Sequence, residues 1–222
     1  MYDDNAPSAH TVDIFVKQRT IFILPIMSRL PPLTRDKLSS PAQQTGHDEL
    51  NELAGKAFGD KFIWKHEDGA MVGPFPALIA APEAGVHMIK LVGNLAAIPG
   101  LPADAKETAI LSTGAHYKAP YELYAHGNVA AKTTELSRDQ VEHICDGKKP
   151  EGLSEACSVA YDVAKHLSSV PGPLPQDLWD RSIKTLGKDG TLALVHYVGM
   201  YAYTCIILNA MDAPVPTPKE GG

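Results

Sequence analysis

Residues 107–132 read ETAILSTGAHYKAPYELYAHGNVAAK. The stretch breaks once, at Lys118–Pro120. Upstream of the break, "PADAKETAILSTGAHY" (102–117) opens with Pro102 and Asp104, residue types that start helices, and continues in good helix formers. Downstream, Pro120 suits the first turn of a second helix, because the N–H it lacks has no partner there anyway. Two helices joined by a short turn are expected, and the neighbouring segments extend that reading in both directions.

Towards the N-terminus, "EAGVHMIKLVGNLAAI" (83–98) and "HDELNELAGKAF" (47–58) place apolar residues at helical spacing, the latter through Leu50, Leu53 and Ala54. Between them, Gly and Pro punctuate residues 59–85 into loops and short turns. Residues 27–46, rich in Pro, Ser and Gln, are expected to be extended and irregular. Residues 1–26 are expected to stand outside the core. Their apolar run "IFILPIM" is short and broken by Pro25, which makes a poor signal peptide.

Towards the C-terminus, Ser137 and Gln140 have capping-box spacing and Gly147 closes the helix they start. "LSEACSVAYDVAKHLSSV" (153–170) is amphipathic. "PQDLWDRSIKTLG" (175–187) is a short helix closed by Gly187. "TLALVHYVGMYAYTCIILNAM" (191–211) follows as a long apolar helix. No run of alternating β-branched residues and no hairpin signal appears. The fold class expected is all-α, with seven or eight helices, in a domain spanning 47–216. An N-terminal arm (1–46) precedes it and a short tail (217–222) follows.

The 191–211 segment contains no Asp, Glu, Lys or Arg and has the ~20 residues that a bilayer span needs. It also carries His196, Thr204, Asn209 and three tyrosines, which would need partners in lipid. A helix buried in a core or subunit interface fits better. The whole chain has 222 residues and a net charge of −6. An acidic chain without a long basic run is a poor match for nucleic acid or an anionic membrane. Its three cysteines, Cys145, Cys157 and Cys205, form no CxxC pair. Free thiols in a reducing, cytoplasmic setting are therefore expected, with no disulfide framework and no structural zinc.

The polar residues of the opening stretch raise the question of chemistry. Glu122 and His126 lie at i and i+4, on one face of a helix. A carboxylate beside an imidazole raises its pKa and fixes its orientation, which makes a general acid–base unit. On spacing alone, an exposed pair worth a few tenths of a kcal/mol explains them more simply. Glu107, read alone, suits a solvated first turn of a helix. His116 suits a helix C-terminus, where a cation is favoured. His196 and Tyr197 lie in the apolar helix, where a buried histidine is usually a satisfied core group. Tyr197 and Tyr201 share a face, the ordinary pattern of core packing. No HxxxH or HExxH pair, P-loop, dinucleotide fingerprint or GxSxG elbow is present. An enzyme built from this chain is expected to use acid–base groups, with no metal and no cofactor.

Taken together, residues 107–132 resemble the carboxymuconolactone decarboxylase family, whose superfamily includes the AhpD-type alkylhydroperoxidases. The family pattern has a glutamate at the head of one helix, matched by Glu107. A paired site follows, then a histidine four residues after its second member, matched by His126. Peroxidases of the superfamily carry CxxC at the paired site. Here those positions hold Ala119 and Glu122. The decarboxylase branch often has Tyr-Glu before the histidine, matched by Tyr121 and Glu122. "DGAMVGPFPALIAAPEAG" (68–85) resembles the family's lead-in, and "ALVHYVGMYAYTCIILNAMDAPVP" (193–216) resembles its closing helix.

The resemblance implies an AhpD-like helical fold, a homo-oligomer (trimer or hexamer), and catalytic roles for Glu107, Glu122 and His126. Without either cysteine at the paired site, thiol peroxidase chemistry cannot run there. The expected activity is a cofactor-independent lyase acting on a small unsaturated organic acid or lactone, by decarboxylation, in secondary metabolism. Glu107 would deliver the proton, and His126 would stabilise the oxyanion, oriented by Glu122. His116, Tyr121, His196 and Tyr197 are the expected substrate contacts. An isomerase, dehydratase or cyclase could use the same groups. A non-catalytic small-molecule binder on the same scaffold is the competing reading. Convergence of Glu107 and His126 on one enclosed pocket distinguishes catalyst from binder.

Overall fold

A computed structural model describes residues 28–217. The expectations for residues 1–26 and for the end of the tail lie outside the described residues. Eight α-helices follow one another: α1 (Pro41–Phe58), α2 (Phe75–Ala80), α3 (Pro82–Ala96), α4 (Ala103–Tyr117), α5 (Pro120–Thr133), α6 (Arg138–Cys145), α7 (Glu155–Ser169) and α8 (Gln176–Met211). Among the described residues there is no strand beyond an isolated bridge between Lys65 and Met71. The all-α expectation holds.

Two boundaries differ from the sequence reading. Helix α1 begins at Pro41, six residues before the expected start, so part of the supposed arm is helical. Ser40 starts it: its hydroxyl accepts the Gln43 N–H at 3.2 Å, and Pro41 fills the first turn. Helix α2 lies inside the stretch read as loop, and Pro76 occupies its first turn rather than breaking it. It buries Phe75, Leu78 and Ile79. The break expected at Gly187 is present: within α8 it takes φ 70° and ψ 177°, a non-helical step that divides the element into two helices. Glycine is what permits that non-helical step.

Helix α4 is the axis of the fold, with α5, α6, α7 and α8 packed around it. Every residue from Glu107 to Gly114 is buried. Its hydroxyls are satisfied locally: Thr108 donates to Asp104 O at 2.7 Å and Thr113 to Ala109 O at 2.8 Å. Two apolar clusters flank it. One gathers α1, α2 and α3 against Tyr197, Met200 and Tyr201 of α8. The other joins α4 to α7 and the middle of α8.

The α4–α5 turn sets the site. Lys118 adopts the left-handed conformation (φ 51°, ψ 46°), and Ala119 N–H donates to Gly114 O at 3.1 Å, which closes the helix end. Gly114 keeps α5 close: a Cβ there would stand 3.1 Å from Leu123 Cδ2 and 3.4 Å from Glu122 Cγ. Helix α8 contains an 18-residue window long and apolar enough to cross a membrane, with mean hydropathy 1.5, and 56% of that window is buried within the fold.

Candidate active site

Helices α4 and α5 bring Glu107, Glu122 and His126 together. His126 Nδ1 lies 2.7 Å from Glu107 Oε2 in a buried hydrogen bond. Its other ring nitrogen, Nε2, lies 3.3 Å from Glu122 Oε1. That second contact lacks hydrogen-bond alignment, and Glu122 Oε1 has no hydrogen-bond partner although fully buried. Lys106 Nζ approaches Glu107 Oε1 at 3.2 Å. The side chains of the three central groups are at most 9% exposed, which excludes the exposed-pair explanation of Glu122 and His126.

The two carboxylates behave oppositely. Burial pushes the Glu107 carboxyl up, but the charge and hydrogen bond of His126, helped by Lys106, outweigh it and hold the group below its ordinary range. Burial also pushes Glu122 up. The nearby Glu107 charge adds to that and His126 opposes it only in part, leaving a pKa of about 7. Burial lowers the His126 pKa, but the charges of Glu107 and Glu122 and the Glu107 hydrogen bond raise it overall. Glu107 and His126 thus form an ion pair, and Glu122 sits beside it at the midpoint of its titration near neutral pH.

A pocket opens in front of His126 and Glu122. Phe58, Phe62 and Phe75 line it on one side, Met88 and Ile89 of α3 on another, and Tyr121, Tyr201 and Thr204 complete the wall near the polar pair. It holds about 40 Å³, room for a few water molecules. Tyr201 packs edge-on against His126, ring centroids 4.7 Å apart at 82°. Burial first, then the Glu122 and Glu107 charges, raise the Tyr201 pKa well above its usual value, so the phenol keeps its proton.

Of the expected substrate contacts, only Tyr121 lines this pocket. Its hydroxyl donates to Ile63 O at 2.9 Å, and Ile63 N–H donates to Tyr124 Oη at 3.2 Å. Two tyrosines of α5 thereby fasten the α1–α2 loop over the site. Tyr197 is buried but stands one turn back, stacked on Tyr201 with centroids 6.1 Å apart. His196 is exposed on α8, because it falls on the face turned away from α4. His116 is half-buried at the end of α4 against Tyr117 and does not line the pocket. The surroundings expected of the carboxylates are exchanged. Glu122 faces the pocket with a raised pKa, whereas Glu107 stands behind His126 and orients it.

Sequence reasoning left out Tyr201, Thr204 and the apolar wall from α1, α2 and α3. Tyr201 and Thr204 had a legible signal in their shared face with Tyr197. The wall had none, since its residues come from four separate stretches. No cysteine lines the pocket. Burial pushes the Cys145 thiol up to about 12 and Cys205 higher still, so neither is a thiolate at neutral pH.

No protein-family model and no curated protein matches the chain. Solved structures do. The debrominase Bmp8 without ligand aligns over 87% of this chain and 93% of its own, at TM-score 0.62 and 14% identity. A cysteine-to-alanine variant of Bmp8 in complex with 2,3,4-tribromopyrrole aligns over 84% and 91%, at TM-score 0.62 and 15% identity. The chain has the AhpD-like helical fold.

Proposed function

We propose that the pocket is the active site of a cofactor-independent acid–base enzyme, an isomerase or a lyase, that moves protons to and from carbon in a small, unsaturated carbonyl compound such as a lactone. One observation carries the reading: a buried Glu122 carboxyl with an unpartnered oxygen and a pKa of about 7, facing an apolar pocket beside a protonated imidazole. General acid–base catalysis is most effective when the group's pKa lies near the working pH. A protein of the same fold binds a small ring, 2,3,4-tribromopyrrole, which supports a small-molecule substrate.

The step balances without an oxidant or reductant. The Glu122 carboxylate takes a proton from the carbon next to the carbonyl. The C–H electrons form a C=C bond, and the carbonyl π electrons move onto oxygen. His126 Nε2–H stabilises that oxygen, and the negative Glu107 stabilises the imidazolium. Protonated Glu122 then returns its proton to another carbon of the conjugated system, completing an isomerisation, or expulsion of a leaving group completes an elimination.

Decarboxylation is the second reading, and the acid form of Glu122 favours it. Carbon–carboxylate cleavage would put two electrons into the same enolate, and Glu122 would protonate carbon. The substrate's carboxylate would then sit beside Glu122 with His126 as the only cationic group among the lining residues. The other reactions therefore suit the pocket better.

The test is turnover of unsaturated lactones and their carboxylated counterparts in D2O, followed by NMR. Wild-type protein is expected to place solvent deuterium on carbon, and Glu122→Gln is expected to lose that exchange. Release of CO2 separates the second reading from the first. Exchange unaffected by both Glu122→Gln and His126→Ala would overturn the assignment.

A further inference from the structure

Three residues that line the pocket carry a hydroxyl: Tyr121 of α5, and Tyr201 and Thr204 of α8. Two of them donate their one proton to the backbone. Tyr121 Oη donates to Ile63 O at 2.9 Å, and Thr204 Oγ1 to Met200 O at 3.0 Å. The Tyr201 hydroxyl has no hydrogen-bond partner among the described residues, although the residue is only 6% exposed. A tyrosine buried to this degree ordinarily pairs its O–H. An exception on a pocket wall points to a partner that arrives with the ligand.

The surroundings of Tyr201 decide what it can do. Its ring stands edge-on to His126, with centroids 4.7 Å apart, and stacks on Tyr197 at 6.1 Å. Contacts on two sides hold the ring before any ligand enters, so little freedom is lost on binding. Burial, then the Glu122 and Glu107 charges, keep the phenol protonated. The group is therefore a donor and not a base. It adjoins the imidazolium, while Tyr121 and Thr204 have no proton left to give.

We propose that Tyr201 is a catalytic residue: its O–H and the His126 Nε2–H together hold the substrate's carbonyl oxygen, and the Tyr201 bond tightens as that oxygen becomes an enolate. The assignment rests on the acid–base reading above and adds a requirement on the substrate. A carbonyl oxygen has two lone pairs, one for each donor, as in a ketone, ester or lactone. A nitrile or imine nitrogen has one, and would leave a buried donor unpaired.

The experiment is Tyr201→Phe, which keeps the ring and both ring contacts and removes the hydroxyl alone. Its melting temperature should match that of the wild type, because no internal hydrogen bond is lost. The first readout is carbon–proton exchange of a butenolide in D2O. Its kcat is expected to fall about 10²-fold with KM little changed, because the lost bond is strongest in the transition state. A ring that only packs would move neither. The second readout is equilibrium binding of para-nitrophenol, whose ionised oxygen stands in for the enolate, followed by the visible absorbance of the phenolate. The wild type should bind the ionised form, and Tyr201→Phe about tenfold more weakly. Exchange that needs Glu122 but runs at the wild-type rate in Tyr201→Phe overturns this assignment and leaves the acid–base reading standing. Phenolate binding that needs Tyr201, with no exchange by the wild type, retains the two-donor oxygen site and overturns the acid–base reading instead. A phenolate that the wild type does not bind, or binds no better than Tyr201→Phe does, also overturns the assignment.

Discussion

Glu107 on α4 and Glu122 on α5 are two buried carboxyls on either side of one imidazole, yet their regions differ in every respect that matters. Behind His126, Glu107 has a hydrogen bond to Nδ1 and the Lys106 ammonium at 3.2 Å, so burial is outweighed and the group stays ionised. In front, Glu122 Oε1 has no hydrogen-bond partner and the group faces phenyl rings and aliphatic chains, so burial prevails. Burial alone therefore does not predict a carboxyl's charge. The partners on its remaining lone pairs do.

That contrast can be broken at several points. His126→Ala removes the cation both carboxylates use, and the rate of carbon–proton exchange in D2O should fall about 10³-fold or more. An unchanged rate would remove the imidazole from the site. Glu122→Gln should cost about 10²-fold or more and abolish the inflection near pH 7 in the pH–rate profile, which the wild type owes to this group.

The same variant sharpens the contrast through stability. Glu122 has a folded pKa above its unfolded value, so the folded state holds the extra proton between the ordinary carboxyl range and about 7. Stability must therefore fall as pH rises through that window, by an amount on the order of 3 kcal/mol. Denaturant melts at pH 5 and pH 8 should show this fall in the wild type and a smaller one in Glu122→Gln.

Glu107→Gln should act the other way. It leaves the imidazole without its anion, lowers the His126 pKa and destabilises the fold near neutral pH by about 3 kcal/mol, measurable by NMR titration and denaturant melts. In the wild type, the Glu107 contribution is present above the ordinary carboxyl pKa and is lost as pH falls through its depressed value. The His126 contribution is present below the ordinary imidazole pKa and is lost as pH rises through its raised one. The smallest effect belongs to Lys106→Met. Its side chain is 31% exposed, so screening leaves about 0.5 kcal/mol at most. A thermal shift as large as that of Glu107→Gln would show that Lys106, not His126, keeps Glu107 charged.

Helices α5 and α7 were plain from sequence because each buries one face at regular spacing, and α4 because Pro102 and Asp104 open a run of good helix formers, although that run is buried all round from Glu107 to Gly114. The starts of α1 and α2 were not, since Pro41 and Pro76 read as breakers until their place in a first turn is known. The association of Glu107, Glu122 and His126 was legible as a set, but their roles were not. Which carboxyl faces the pocket depends on the angle at which α5 leaves the Lys118 turn, and on wall residues contributed by α1, α2 and α3. Local spacing contains neither. His196 shows the same limit: an apolar neighbourhood in sequence still has an outward face in space.

The bonds from Tyr121 and Tyr124 to the two backbone atoms of Ile63 have an evolutionary consequence. Because the α1–α2 loop is fastened at Ile63 through its main chain, and at Trp64 and Met71 through side chains buried in the core, the pocket-lining Phe62 and Pro74 are not its only anchors. Phe62 and Pro74 can therefore be exchanged to reshape the pocket while the loop keeps its path over the acid–base pair. On the proposed function, the scaffold would separate what decides the substrate from what performs the chemistry, and a lineage could change the first without rebuilding the second.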